Sequence, residues 1–226
     1  MTQLGWLTTG CSSGFGEELI LNRIKHFKNA GAATMSLDVT DSQAELDAKV
    51  KQALKIYNSI DVLINNAGYI EAGSIEDITL VASCNTNQFG PVNLTRSILP
   101  HFHQRKAGTI IFMGSFGLEA VVECLQKETS QFVGTTFDPG VQTHADCFER
   151  HGKAVHGNQP GDPKKSAERI VDIVRREGLA IGKETPLRLP LGPDCLQQIK
   201  NKCLSTLKIL EDWEELITST KLDVRG

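Results

Sequence analysis

Short apolar runs alternate with longer amphipathic stretches along this chain. Helices are predicted over 43–56 and 92–102, because apolar residues recur there at helical spacing. Asp41, just ahead of the first of these helices, is the expected N-cap. The apolar runs predict strands at 6–9, 33–37, 62–64, 109–113, 135–137 and 187–191. Strands that alternate with helices indicate an α/β fold with a parallel sheet and crossover helices.

The chain has the length and composition of one globular domain. Its 226 residues are 40% hydrophobic and 23% charged, so a single domain over 1–226 is expected. A net charge of -3 gives no sequence-wide attraction to nucleic acid or anionic lipid, which favours a small-molecule partner. Six cysteines without a Cys-x-x-Cys pair, and no secretory-signal pattern, indicate reduced thiols in a cytoplasmic protein. No apolar run approaches the ~20 residues of a membrane-spanning helix.

A glycine-rich turn, with Gly10, Gly14 and Gly16, follows the first predicted strand. The spacing alone is weak evidence, but the turn connects an apolar strand to a helix that begins near Gly16. Backbone amides and the helix N-terminus would then face a pyrophosphate, where the helix dipole favours negative charge. The alternative is a tight strand-to-helix turn that holds no ligand.

A second motif, Asn65-Asn66-Ala67-Gly68, ends an apolar strand. Open α/β sheets place ligand contacts at such strand ends, although a simple Asn-rich turn is the alternative. Further motifs occur in order along the chain at 38–41, 85–90, 114–115 and 138–140. With these motifs the chain resembles the short-chain dehydrogenase/reductase family nearly end to end. Its tail, from 161–163 through 186–193, resembles the fungal-type members.

The resemblance implies a Rossmann-like doubly wound parallel sheet and an NAD(P)-dependent oxidoreductase. Such an enzyme interconverts an alcohol and a carbonyl of a small molecule by hydride transfer, and the resemblance slightly favours NADP over NAD. It also implies homo-oligomerisation. The implied cofactor contacts are Gly10, Ser12, Ser13, Phe15 and Gly16 at the diphosphate, Asp38 and Val39 at the adenine, Asn65, Asn66, Ala67 and Gly68 at the ribose, Arg96, and Pro139, Gly140, Val141 and Thr143 near the nicotinamide amide and diphosphate.

Two catalytic residues are implied by the same resemblance. Ser115 matches the serine that hydrogen-bonds the substrate carbonyl, and Asn87 matches the proton-relay asparagine. Their structural alternatives are a serine that satisfies a backbone group at a strand end and a helix amide that bonds a neighbouring carbonyl. No metal site is expected, since His101 and His103 are two residues apart on a helix and point to different faces. Both histidines are predicted to be solvated.

The chain departs from the family pattern at its catalytic tyrosine and lysine. In the family a lysine four residues after the tyrosine lowers the pKa of the tyrosine and makes it a usable acid or base. The only tyrosines here are Tyr57 and Tyr69, and Asp61 and Gly73 stand four residues after them. The segment 114–121 continues as though the part with tyrosine and lysine had been removed.

A second gap follows the glycine turn. Only 17–37 separate it from Asp38, whereas a helix, strand, helix and strand need about 35 residues before loops. One strand and one helix are therefore missing. Three interpretations stay open: a dinucleotide-dependent oxidoreductase, a pseudoenzyme that binds a nucleotide or a partner, and a truncated version of a longer gene product.

Apolar residues also recur at helical spacing near the C-terminus. This pattern predicts a helix that packs on the core or on a partner subunit. Its members are Leu196, Ile199, Cys203, Leu207, Leu210, Trp213 and Ile217.

Overall fold

Four parallel strands form the sheet in the described part of the chain. The computed structural model describes residues 4–24, 32–69, 80–114, 133–138 and 162–221, with the backbone alone at 21–24 and 133–138. The strands are β1 (Trp6–Thr8), β2 (Val62–Asn65), β3 (Gly108–Met113) and β4 (Val133–Asp138), adjacent in chain order. All three pairings are parallel, so the carboxyl ends of the strands share one edge of the sheet.

The described helices connect and cover these strands. They are α1 (Gly14–Ile24), α2 (Gln43–Tyr57), α3 (Leu80–Cys84), α4 (Gly90–Arg105), α5 (Pro163–Arg175), α6 (Pro193–Asp212) and α7 (Glu214–Thr218). A π-helical turn, Asn85–Phe89, joins α3 to α4, and a short 3-10 turn, Gly178–Ala180, follows α5. The predicted helices at 43–56 and 92–102 are confirmed as α2 and α4. Among the helices described here, none is long and apolar enough to cross a membrane.

Helices cover both faces of the sheet. On one face, α2 and α4 pack on β2 and β3; the buried side chains there include Leu46, Val50, Leu63, Leu94, Ile98, Phe102 and Ile110. On the other face, α1 and α5 pack on the same strands; the buried side chains there include Leu19, Val62, Ile64, Ile111, Ala167 and Ile170. Because both faces are covered, β2 is buried along its whole length. The predicted Rossmann-like α/β fold is confirmed.

Two predicted strands are wrong. Residues 33–37 form no strand; Met35 and Leu37 instead pack against the α2–α4 side of the core from an irregular segment. Residues 187–191 also form no strand beyond one isolated bridge at Arg188. Pro190 has no N–H to donate to a ladder, and Leu187 and Leu191 bury their side chains without one. The apolar residues at 33–37 and 187–191 thus serve burial and not strand pairing. Because no strand pairs with its free side, β1 is an edge of the described sheet.

The predicted N-cap of α2 is one residue off. Ser42, not Asp41, caps the helix in a capping box with Glu45. The Ser42 hydroxyl accepts from the Glu45 N–H at 3.4 Å, and the Glu45 carboxylate accepts from the Ser42 N–H at 3.0 Å. Serine and glutamate three residues apart satisfy two helix N–H groups at once, which Asp41 cannot do with Glu45 four residues away. Asp41 instead closes a turn by donating its N–H to the Asp38 carbonyl.

Candidate functional site

The loops that follow β1 and β2 are tied together by Thr9. This threonine is buried, and its hydroxyl oxygen accepts hydrogen bonds from the backbone N–H groups of Asn66 at 3.0 Å and Ala67 at 2.9 Å. The hydroxyl lies 3.5 Å from the Ile64 carbonyl, to which it donates. One side chain therefore sets the position of the second loop against the end of the first strand.

Asn66 completes this connection from the other side. Its side-chain amide donates to the carbonyl oxygens of Thr9 and Gly10, each at 3.1 Å. At Gly10, where φ is +66°, an added Cβ would lie 2.7 Å from the Ala67 Cα. At Gly16 an added Cβ would overlap the Gly10 carbonyl oxygen and lie 2.6 Å from the Asn66 amide nitrogen. Both glycines are required because the two loops approach so closely.

The outer surface of the same turn is open. Ser12, Ser13 and Gly14 are exposed, and a Cβ at Gly14 would meet nothing within 4 Å. The Ser13 carbonyl accepts from the Glu17 N–H at 3.4 Å, which makes Ser13 the N-cap of α1. The first N–H groups of a helix lack partners within it, and the helix dipole adds positive potential. This exposed N-terminus fits an anionic group such as a diphosphate. Phe15, in the first turn of α1, packs its half-buried side chain against the core.

The segment at Asp38 and Val39 forms a turn beside α4. Asp38 is exposed, and its carboxylate accepts from the Thr40 N–H at 2.9 Å and the Thr40 hydroxyl at 2.7 Å. These hydrogen bonds, the backbone one first, lower the pKa of Asp38. Val39 is buried, and a Cβ at Gly90 would lie 2.8 Å from its methyl group. The two neighbours therefore differ: Asp38 is available at the surface and Val39 packs against the start of α4.

Arg96 is not brought to the glycine turn by any contact among the described residues. It is exposed on α4, on the side facing α2. Hydrogen bonds from Ser97 and Gln43 hold the pKa of Asp47 on α2 below its usual value, and the charges of Lys51 and Arg96 lower it further. Arg96 thus acts on Asp47 through its charge, and its predicted contact with a cofactor is not tested by this structure.

Asn65 anchors the end of β2 to α4. It is buried, and its amide nitrogen donates to the Thr95 hydroxyl at 3.2 Å. Its amide oxygen is buried and has no hydrogen-bond partner among the residues that the structure describes. An unpaired buried acceptor carries a free-energy cost of about 1–3 kcal/mol. Asn66 differs, because its side-chain amide donates to the carbonyl oxygens of Thr9 and Gly10.

Asn87 lies in the π-helical turn and hydrogen-bonds the backbone of Tyr69, the residue after Gly68. Its amide oxygen accepts from the Tyr69 N–H at 3.0 Å, and its amide nitrogen donates to the Tyr69 carbonyl at 2.7 Å. The same nitrogen donates to the Ser83 hydroxyl at 3.3 Å. A Cβ at Gly68 would lie 3.0 Å from the Asn87 amide oxygen, so glycine leaves room for this clamp. The side chain bonds a segment 18 residues away in sequence and not a neighbouring carbonyl of its own helix. π-Helical turns often mark functional sites.

The remaining predicted site residues, Ser115, Pro139, Gly140, Val141 and Thr143, lie outside the described residues. The preceding strands do end at the same sheet edge as the two tied loops, since Asn65 pairs with Phe112 and Met113 pairs with Asp138.

In the described part of the chain no group of three or more metal-ligating side chains occurs. The prediction that His101 is solvated is wrong, because its Nε2 lies 3.1 Å from the Ile60 carbonyl and the ring is half-buried.

Cys11 in the glycine turn is expected to react slowly with alkylating reagents. Burial raises the pKa of its thiol to about 11, and the thiol donates to the Thr8 carbonyl at 3.2 Å. At pH 8 about one Cys11 thiol in a thousand is ionised, and the thiolate is the reactive form. Peptide mapping after iodoacetamide treatment should find exposed Cys203 labelled before Cys11. The rate of Cys11 labelling should rise about tenfold per pH unit up to pH 9.5. Equal labelling rates of Cys11 and Cys203 at pH 7.5 would contradict the burial of Cys11.

Comparisons with known proteins decide the family. The family model for short chain dehydrogenase matches residues 17–126. The 3-ketodihydrosphingosine reductase of Bacteroides thetaiotaomicron is 36% identical over 83% of this chain and 87% of that protein. The chain belongs to the short-chain dehydrogenase/reductase family. Members of this family are oxidoreductases that act on small molecules and generally bind NAD(P).

Two further proteins match almost the whole chain. Oxidoreductase BOA17 of Botryotinia fuckeliana is 26% identical over 277 residues, covering 96% of this chain and 98% of that protein. The crystal structure of a short-chain dehydrogenase from Streptomyces avermitilis superposes with a TM-score of 0.79 at 26% identity, covering 97% of this chain and 98% of that one. The first alignment is longer than the 226 residues of this chain, so the relative has segments without a counterpart here.

Proposed function

We propose that this chain binds NADP or NAD at the turn between β1 and α1 and interconverts an alcohol and a carbonyl only slowly. The observation that carries the proposal is the pair of tied loops. Thr9 and Asn66 engage each other across the ends of β1 and β2. Their hydrogen bonds leave Ser12, Ser13 and the N-terminus of α1 exposed to receive a diphosphate. A cytoplasmic location is part of the proposal, because reduced thiols are stable there.

The residues of the turn fit the anionic part of a dinucleotide. Gly14 provides open space above the turn, and the hydroxyls of Ser12 and Ser13 add donors beside the first amides of α1. By family resemblance, Asp38 and Val39 would lie at the adenine, and the motif 65–68 at the ribose. The same resemblance assigns the remaining contacts to Arg96, Pro139, Gly140, Val141 and Thr143. A bound dinucleotide supplies the hydride, while the protein binds and polarises the carbonyl substrate.

Two residues are proposed to act on the substrate side. Ser115 would donate a hydrogen bond to the carbonyl oxygen, as its position in the family motif implies. For Asn87 we propose a positioning role, since its amide already bonds the backbone of Tyr69 through both its oxygen and its nitrogen. Neither residue replaces an acid with a pKa near neutrality.

A second candidate function, a pseudoenzyme that binds the dinucleotide without turnover, rests on one observation. The chain has no tyrosine with a lysine four residues later. Both candidates require the same binding site, and they differ only in turnover. Dinucleotide binding with measurable carbonyl reduction supports the slow enzyme. Binding with no reduction above the buffer rate supports the pseudoenzyme.

The substitution Ser13→Asp should weaken dinucleotide binding at least about tenfold. Asp is as good an N-cap as Ser, so α1 should be retained, but a negative charge beside the diphosphate is repulsive. Binding can be followed by the fluorescence of Trp6, which lies in the strand that leads into the turn, in a Trp213→Phe background that removes the exposed second tryptophan. A dissociation constant for Ser13→Asp equal to that of the parent protein would contradict the proposed site.

Ser13→Asn is the matched control for this experiment. Asn has nearly the size of Asp and caps helices equally well, but it is neutral. Its dissociation constant should stay within about twofold of the parent value. Equal losses in Ser13→Asp and Ser13→Asn would indicate that the turn needs the serine hydroxyl, and that charge at the helix N-terminus is not decisive.

A further inference from the structure

Asp38 presents a carboxylate of fixed orientation at the protein surface. Its Oδ1 accepts from the Thr40 N–H at 2.9 Å and from the Thr40 hydroxyl at 2.7 Å. The N–H of Thr40 lowers the pKa of Asp38 most and the hydroxyl lowers it further, so the carboxylate is charged at neutral pH. Its Oδ2 has no hydrogen bond or ion pair among the residues that the structure describes. A charged acceptor is thus held in place with one oxygen open to a ligand.

The turn 38–41 lies at the edge of the sheet where the strands end. The helix α2 starts directly after this turn and finishes just before β2 begins, so its first residues lie level with the end of β2. A contact with α4 supports this placement, because a Cβ at Gly90 would lie 2.8 Å from the Val39 methyl group. Gly90 is the first residue of α4, which in turn runs back to the start of β3. Asp38 therefore shares this edge with the glycine turn after β1.

Asp38 also lies at a suitable distance along the chain from the glycine turn. In dinucleotide-binding sheets an Asp or Glu about 20 residues after the glycines hydrogen-bonds the ribose 2′-hydroxyl of NAD. Asp38 comes 22 residues after Gly16, and no other acidic residue occurs between Glu18 and Asp38. Residues 33–37, which precede it, form no strand. Asp38 is therefore the one acidic candidate in this stretch of the sequence.

A carboxylate at the ribose distinguishes NAD from NADP. NAD has a 2′-hydroxyl, which can donate to the open Oδ2 of Asp38, whereas NADP has a phosphate at that position. A phosphate monoester carries a charge of about -1.5 to -2 at neutral pH, so a nearby carboxylate repels it. Because Thr40 holds Oδ1, the carboxylate cannot turn away from the phosphate without the loss of two hydrogen bonds.

We propose that Asp38 makes this chain select NAD over NADP, with its Oδ2 accepting from the ribose 2′-hydroxyl of NAD. The inference rests on the dinucleotide site of the proposed function and adds the choice of cofactor. It reverses the slight preference for NADP that the family resemblance implies, and it replaces the implied contact of Asp38 with the adenine. NAD and NADP share the same adenine, so a carboxylate at the adenine would change both affinities equally.

Titration of the protein with NAD and with NADP tests this selection. The fluorescence of Trp6 in the Trp213→Phe background gives both dissociation constants. The parent chain should bind NAD at least about tenfold more tightly than NADP. Asp38→Asn keeps an oxygen that can accept from Thr40 but loses the charge. Its affinity for NADP should rise about tenfold or more and come within about threefold of its affinity for NAD.

Asp41→Asn is the matched control. It removes an equal charge from the same turn, and the Asp41 side chain takes no part in the hydrogen bonds that hold the Asp38 carboxylate. The ratio of NAD affinity to NADP affinity should stay within about twofold of the parent ratio. An equal fall of this ratio in Asp41→Asn would show a general effect of negative charge and would overturn the assignment to Asp38.

The other outcomes separate this inference from the proposed function. A parent chain that binds neither dinucleotide overturns both. A parent chain that binds NAD and NADP equally, or NADP more tightly, agrees with the proposed site and overturns the selection by Asp38. Equal losses of NAD affinity and NADP affinity in Asp38→Asn would place the carboxylate at the adenine, which also overturns it.

Discussion

Purified protein should reduce carbonyl compounds with NADPH or NADH about 10²- to 10⁴-fold more slowly than a relative with an intact Tyr-x-x-x-Lys motif. A positioned general acid or base contributes a rate factor of about this size, and this chain has no such tyrosine and lysine. The measurement is cofactor oxidation followed by absorbance, with one panel of ketones and aldehydes for both proteins. A rate within tenfold of the relative would contradict the expectation and would mean that another side chain supplies the proton.

The two tyrosines of the chain provide the control for that measurement. The Tyr57 hydroxyl accepts from the Ala33 N–H at 3.0 Å. Tyr57 ends α2 just before β2 begins, whereas the candidate site lies where the strands end. Tyr69 is held through its backbone by Asn87. Tyr57→Phe and Tyr69→Phe should each change any residual turnover less than about twofold. A loss of a hundredfold or more in Tyr69→Phe would identify Tyr69 as the acid and would invalidate the assignment of the deficit to a missing tyrosine.

Replacement of Thr9 by Val should lower the free energy of unfolding by about 2–4 kcal/mol and weaken dinucleotide binding together with it. Val has the shape of Thr but lacks the oxygen that accepts from Asn66 and Ala67, so two N–H groups lose their partner. The loop 65–68 would then no longer be held against the glycine turn. Urea unfolding followed by Trp6 fluorescence measures the first effect, and cofactor titration of the folded protein measures the second.

Thr9→Ser is the matched control, since it keeps the hydroxyl and removes one methyl group. Its stability should fall by about 1 kcal/mol or less, and its dissociation constant should stay close to that of the parent protein. If Thr9→Val binds dinucleotide as tightly as Thr9→Ser while unfolding more readily, the tie between the loops contributes to stability alone. In that case the proposed site would not depend on Thr9.

Much of the fold could be predicted from local patterns. The segments that became β1, β2, β3, β4, α2 and α4 each carry an apolar pattern that repeats within the segment itself. The segments 33–37 and 187–191 carry a similar apolar signal, yet they form no strand. A strand needs a neighbour with which to pair, and that neighbour cannot be read from the segment.

The candidate site, like the fold, could be predicted from the sequence only in part. The glycine turn and the motif 65–68 are visible in the sequence because each is a short run of residues with special backbone or polar requirements. The role of Thr9 was not visible, because its partner Asn66 is 57 residues away. Asn87 and Tyr69, 18 residues apart, are a further example. Arg96 matches the family motif, and its role as a cofactor contact stays a prediction.

The sequence by itself determined the four strands and the helices α2 and α4, where the glycine turn lies, and that the Tyr-x-x-x-Lys pair is missing, because these are properties of short stretches of chain. Only the tertiary structure decided that Thr9 and Asn66 hold two loops together, that Asn87 bonds the backbone of Tyr69, and that α6 leaves most of its apolar side chains exposed. These depend on which residues meet across the fold, and burial and pairing are properties of the whole molecule.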